Sequence, residues 1–276
     1  MMPESHKPKH LDNQFYPLFP RTAGGGHLTK DEAGEYCLEI PAGAAGRYRL
    51  VQLDDYTNHP RNSFPWTAPL ELDLWARVSH PLIPGTWGFG FWNDPLSCAV
   101  GVGLRGLRLP VLPNAIWFFF ASPPNYLALD DNLPGFGNLA ATYRSSGWQP
   151  LLLAAGALFL PSLVFPATSQ ILRKVCRKFV FQDSADAPLN PTQAHHYKII
   201  WREMKATFSI DERIILETAL VPTGPLGFVL WIDNQFLSVP PNKRLSFGNL
   251  PNPVPAQLLV KDLRINKTGF SAFLSF

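Results

Sequence analysis

Apolar and polar residues alternate with period two along several short runs of this 276-residue chain. Leu70–Val78 sets Leu70, Leu72, Leu74 and Ala76 against Glu71, Asp73, Trp75 and Arg77, the pattern of a strand with one buried face. Residues 35–40 alternate in the same way, and 46–53 set Tyr48, Leu50 and Gln52 against Arg49, Val51 and Leu53. Residues 86–93 and Ala115–Ala121 are nearly continuous apolar runs, as expected of strands buried on both faces. Further on, 196–202, Lys205–Ile210 and Arg213–Thr218 predict short strands joined by tight turns, 226–232 is apolar throughout, and 257–265 closes the series. The 28 prolines and 20 glycines fall almost entirely between these runs, which suits many short strands rather than long helices. An all-β domain is the expectation.

Two stretches break the pattern. Residues 1–33 are polar and contain Gly24-Gly-Gly26, so they are expected to form an arm, with the domain proper over 34–276. Residues 145–181 favour helix. Ser145 or Ser146 suits an N-cap, Pro150 suits a first turn, and an apolar run follows over 151–165, interrupted by Pro161. Apolar residues then recur at 171, 172, 175, 176, 179 and 180, a helical stripe that leaves Arg173, Lys174, Arg177 and Lys178 off it. The 15 residues of 151–165 span only about 22 Å as a helix, short of a bilayer core. Two readings stay open: a helical insertion lying over a cleft, or an anchor at a membrane surface with the basic cluster at one end.

Composition narrows the function. At 46% hydrophobic and 16% charged, the chain can bury a large core. A net charge of +3 is too weak and dispersed for a nucleic-acid partner. Three cysteines, Cys37, Cys98 and Cys176, form no CxxC pair and argue against a disulfide framework or a zinc site. No calcium loop, phosphate loop or nucleophile elbow is present, and His195-His196 lacks a third ligand in sequence, so neither metal nor cofactor is expected. The first ten residues have no apolar core of the secretory kind, and a cytoplasmic location follows as an expectation, with peripheral membrane association if 145–181 is an anchor.

Several segments, in order, resemble the concanavalin A-like jelly roll of glycoside hydrolase family 16. Leu70-Glu-Leu-Asp-Leu-Trp-Ala-Arg77 with Pro84-Gly-Thr-Trp-Gly-Phe-Gly-Phe-Trp92 is similar to that family's paired strands. His196-Tyr-Lys-Ile-Ile-Trp201 with Ala206-Thr-Phe-Ser-Ile-Asp211 is similar to its hairpin, and Pro225–Trp231 and Leu258–Ile265 to its last inner strand and closing strand. The resemblance covers about half the chain and implies a concanavalin A-like jelly-roll β-sandwich, here with a helical insertion. It also locates a departure. Where the family carries Glu-x-Asp-x-(x)-Glu, this chain reads Asn114-Ala-Ile-Trp-Phe-Phe-Phe-Ala-Ser122. Depending on register, the acids are replaced by Ala115, Trp117 and Phe120, or by Ile116, Phe118 and Phe120, and no catalytic residue carries over. A glycosidase needs two carboxyls roughly 5–10 Å apart.

The expected function is therefore binding. Trp87, Trp92, Trp117, Phe120 and Trp231 are the candidate aromatic surface, and Gly88 and Gly90, on the face of Trp92, leave room for a flat ligand or a close backbone approach. Asp94, Asp233 and Asn234, at strand ends, are candidate polar contacts. The expected ligand is an apolar or partly apolar small molecule, with a glycan as the alternative. Two enzymatic readings stand behind these: a dry pocket acting by orientation with one acid such as Asp94 or Asp233, or a glycosidase using Glu71 and Asp73. Plain core packing between two sheets competes for every one of the aromatic residues.

Overall fold

The computed structural model describes residues 16–95, 108, 111–145, 166–241 and 243–267, and nothing below concerns the others. Two antiparallel sheets of seven strands pack face to face as a jelly-roll β-sandwich. The first sheet contains β1 (Phe19–Ala23), β4 (Leu50–Asp54), β6 (Thr86–Trp92), β7 (Ala115–Ala121), β8 (Gly137–Ser145), β9 (Val180–Asp186) and β13 (Gly227–Asp233), in the spatial order β1-β4-β13-β6-β7-β8-β9. The second contains β2 (His27–Lys30), β3 (Tyr36–Ile40), β5 (Leu70–Val78), β10 (His195–Arg202), β11 (Lys205–Ile210), β12 (Arg213–Thr218) and β16 (Ala256–Lys267), in the order β12-β11-β10-β5-β16-β3-β2. A small hairpin, β14 (Gln235–Ser238) with β15 (Ser246–Asn249), stands apart.

Period-two alternation sorts the side chains. Leu70, Leu72, Leu74, Ala76 and Val78 of β5 meet Trp87, Phe89 and Phe91 of β6, Ile116, Phe118 and Phe120 of β7, and Phe228, Leu230 and Ile232 of β13 in one buried core between the sheets. The central core position of β7 is matched by a small residue on its neighbour: Phe118 lies opposite Ala140 of β8. Hairpin β11–β12 turns on Asp211 and Glu212, whose φ values of 49° and 62° match the right-handed twist of the flanking strands.

Three expectations need correction. Residues 19–30, taken as part of a polar arm, form β1 and β2, because each needs only one apolar face to pair at a sheet edge. The helical stripe ends earlier than its sequence: the helix α1 runs over Pro166–Phe179, and 180–186 form the edge strand β9. Ser145 closes β8 instead of capping a helix, its amide and hydroxyl both bonded to the Asn114 side chain. The apolar run 151–165 and Cys98 lie outside the described residues. No helix among the described residues is long and apolar enough to cross a membrane.

Candidate functional site

On the outer face of the first sheet, away from the core, the alternation continues with a second apolar cluster. Trp117 and Phe119 of β7, Trp92 of β6, Trp231 and Val229 of β13, Leu139 of β8 and Leu50 of β4 pack there with Tyr48, Tyr56, Phe64 and Leu127. The rings form a continuous layer. Trp231 is the hub, 5.5 Å from Trp117 and 5.7 Å from Phe119 by ring centroids, and parallel to Trp92 at 6.4 Å with planes 5° apart. Trp117 stacks on Phe119 at 5.4 Å, and Tyr143 of β8 meets it edge-on at 6.1 Å.

Glycine makes this layer possible. A Cβ on Gly88 would stand 2.5 Å from the Phe118 carbonyl oxygen and 2.8 Å from Cη2 of Trp231. On Gly90, whose φ is +152°, it would stand 2.4 Å from the Ile116 carbonyl oxygen and 2.5 Å from Cα of Trp117. The room expected beside these glycines is thus taken by the protein itself: by the β7 backbone and the Trp231 indole at Gly88, and by the β7 backbone and Cβ of Trp117 at Gly90.

The ring nitrogens are mostly matched within the protein. Trp92 Nε1 donates to the Tyr56 hydroxyl at 2.8 Å, and Trp231 Nε1 donates to Thr86 Oγ1 at 2.9 Å. Thr86 in turn donates to Asp233 Oδ1 at 2.7 Å, and the Tyr48 hydroxyl lies 3.5 Å from Asp233 Oδ2. Burial pushes the Asp233 carboxyl up to about 7, against the pull of the Thr86 hydrogen bond. Trp117 Nε1 is buried with no hydrogen-bond partner among the described residues. Toward β1 the face turns polar, with Arg21, Gln52 and Asp54. Asp54 accepts from Gln52, from Thr57 and from the Tyr56 amide, and Gln52 Nε2 bonds both Asp54 and the Tyr56 hydroxyl.

Two arginines fix the walls. Arg108 pairs with Asp94 at 2.7 Å and donates to the carbonyls of Tyr56, Thr57 and His59, holding the loop under Tyr56 and Phe64. On the opposite side Arg173 of α1, only 4% exposed, donates to the carbonyls of Ala128, Leu129 and Val239 and to Asp131. That seats α1 on the loop whose Leu127 packs on the aromatic layer. Arg173, which the sequence pattern places off the apolar stripe with Lys174, Arg177 and Lys178, is thus buried and anchors the helix.

The expected site residues separate. Trp92, Trp117 and Trp231 share the outer face, with Asp233 at its edge. Trp87 and Phe120, each 3% exposed, point into the core and stack on each other at 5.6 Å, because an outward Trp117 turns Phe119 outward and Phe120 inward. Neither expected trio of replaced acids matches this register, in which Ala115, Trp117 and Phe119 face outward. Asn234, 0% exposed, has both side-chain groups committed to the Arg49 amide and the Arg47 and Leu250 carbonyls, a structural clamp. Asp94 is matched by Arg108. Phe119, Tyr143, Tyr48, Tyr56 and Thr86 were missed; strict alternation from Trp117 would have found Phe119.

The carboxylates Asp54 and Asp233 of this face do not lie side by side. Asp54 lies opposite Val229, four residues along β13 from Asp233, so the two are separated by about 13 Å along the strand. Glu71 and Asp73 share a face, but on the outside of the second sheet, where Lys198 stands 3.4 and 3.5 Å from them and His196 Nε2 3.0 Å from Asp73. His195 lies 2.6 Å from Asp211 and His196 3.2 Å from Glu212, so both histidines tie the start of β10 to the β11–β12 turn. Among the described residues no group of three or more His, Cys, Asp or Glu is placed to hold a metal ion.

No family model and no curated protein matches the chain. Solved structures do resemble it in chain path. The κ-carrageenase of Zobellia galactanivorans shares 10% identity over 88% of this chain and 82% of its own, at a TM-score of 0.49. A legume lectin-like domain from Entamoeba histolytica shares 10% over 91% and 90%, at 0.44. The laminarinase catalytic domain from Thermotoga maritima shares 9% over 88% and 81%, at 0.45. None of these three reaches a TM-score of 0.5, and nothing about the function of this chain follows from them.

Proposed function

We propose that the outer face of the first sheet binds an apolar or partly apolar small molecule and does not hydrolyse glycosides. One observation carries the reading: Trp117 and Phe119, at outward positions of β7, join Trp92 and Trp231 in an aromatic layer that offers apolar area with no acid on β7 beside it. Each 100 Å² of apolar ligand surface buried on it contributes about 2.5 kcal/mol before ordering costs. Arg173 and Arg108 hold the flanking loops, consistent with a covered site. The test is titration with N-phenyl-1-naphthylamine. Saturable fluorescence enhancement that falls at least tenfold in affinity in Trp117→Ala supports the reading; equal enhancement by wild type and variant overturns it.

A glycan is the second reading, favoured by the polar half of the face, where the Gln52 amide oxygen has no partner among the described residues. Trp231, only 8% exposed, offers little ring face to either ligand class, and the half-buried Trp92 and Trp117 carry the accessible area.

A further inference from the structure

Arg173 fixes how α1 is rotated. With Arg173 and the half-buried Cys176 and Phe179 turned inward, the opposite arc carries Gln170, Lys174, Val175, Arg177 and Lys178, all exposed. Arg177 reaches Asp130 at 3.2 Å; among the described residues no carboxylate lies within ion-pair distance of Lys174 or Lys178. Apolar surface accompanies these cations. Val175 is 39% exposed on the arc itself, and Phe181, just past the helix, is 45% exposed with the Arg144 guanidinium 5.7 Å from its ring. Arg177 and Phe181 line one open groove of about 390 Å³, together with Leu129, Leu220, Asp130 and Asp183. The nearby acids Asp130 and Asp131 are engaged by Arg177 and Arg173. The chain that enters α1 is, in sequence, the uncharged run 151–165.

We infer that this face of α1 docks on an anionic lipid surface. Cations beside exposed apolar side chains suit a bilayer interface, where the charges meet headgroups while Val175 and Phe181 settle at the acyl boundary. A solvated basic face would serve without the apolar residues, and a nucleic-acid site would need a broader basic patch than a +3 chain offers. The inference rests on α1 alone and stands whether or not the aromatic face binds a ligand.

The test is co-sedimentation of the full chain with vesicles of phosphatidylcholine, with and without phosphatidylserine. Binding is expected only with phosphatidylserine, weakening as salt rises. Each basic residue near the surface is worth about fivefold in partitioning, so Lys174→Glu with Lys178→Glu is expected to lower it at least about 25-fold. Arg202→Glu, an exposed cation of β10 on the second sheet, should leave binding unchanged and controls for bulk charge. No sedimentation with anionic vesicles, or equal sedimentation of the double variant, overturns the inference. So does equally tight retention of the wild type by heparin, which would assign the face to soluble polyanions. An unchanged unfolding midpoint in the double variant excludes misfolding as the cause.

Discussion

Replacing Gly88 with alanine puts a single methyl group where the structure has none to spare. The new Cβ would sit 2.5 Å from a backbone oxygen of β7 and 2.8 Å from the Trp231 ring, so either β6 and β7 separate or the indole lifts off the sheet. Overpacking of this kind costs about 1–3 kcal/mol, and the lost unfolded-state freedom returns about 0.4–1 kcal/mol. The expected net loss is about 1–2 kcal/mol. Gly90→Ala meets two backbone atoms at 2.4 and 2.5 Å from a positive φ and should lose about 2–4 kcal/mol. Gly46→Ala supplies the baseline: its φ is +84° but nothing lies within 4 Å, so only backbone strain applies, at most about 1–2 kcal/mol. Urea unfolding followed by circular dichroism ranks the three. A lifted Trp231 also gives up its bond to Thr86, so the tryptophan emission of Gly88→Ala should move to the red in native buffer. Equal stabilities for Gly88→Ala and Gly46→Ala, with an unmoved emission maximum, would refute the flat seating of Trp231 on β6.

Three more outcomes are expected. Burial raises the Asp55 and Asp233 carboxyls from 3.8 to about 7, so the folded chain binds more protons than the unfolded one in that window; stability is greatest below it and falls as pH rises through it, by up to about 1.4 kcal/mol per pH unit per group. Asp233→Asn should flatten the urea-derived profile between those limits, and a profile parallel to wild type would deny that Asp233 takes up a proton on folding. Arg173→Met strips the Ala128, Leu129 and Val239 carbonyls of a charged donor, while the half-exposed Asp131 returns to water, and should cost about 2–4 kcal/mol, with faster proteolytic cleavage at 126–131 as a readout specific to that loop. Asp211 is drawn up by desolvation and further down by His195 and the His196 amide, ending below the ordinary carboxylate range; its stabilising share is present above the unfolded value and lost as pH falls through the folded one, so Asp211→Asn should narrow the difference between neutral and acid stability.

The strands that carry the core were legible because their own residues state the period. Leu70–Val78 lies where the alternation put it, and Ala115–Ala121 where the continuous apolar run put it. What escaped was set by neighbours. β8 reads Gly-Asn-Leu-Ala-Ala-Thr-Tyr-Arg-Ser, an unremarkable run of small residues, and makes sense only once Phe118 and Trp117 stand opposite Ala140 and Ala141. β9 begins inside a helical stripe, because Val180 continues the period of α1 and then pairs with Ser145. The site was half legible. That Ala115–Ala121 holds no Asp or Glu is a property of sequence, but which aromatics face outward depends on register, and taking Phe120 with Trp117 breaks the two-residue period. The anchoring of α1 through Arg173 was hidden for a different reason: a buried arginine needs several carbonyls converging from distant loops, and composition cannot show that.

The central claim is that the aromatic face holds an apolar molecule. Native mass spectrometry on freshly purified protein, followed by solvent extraction of whatever is retained, tests it most directly. A co-purifying apolar mass that is lost in Trp117→Ala is the predicted result. A bare protein mass, together with saturable binding of an oligosaccharide, would contradict it.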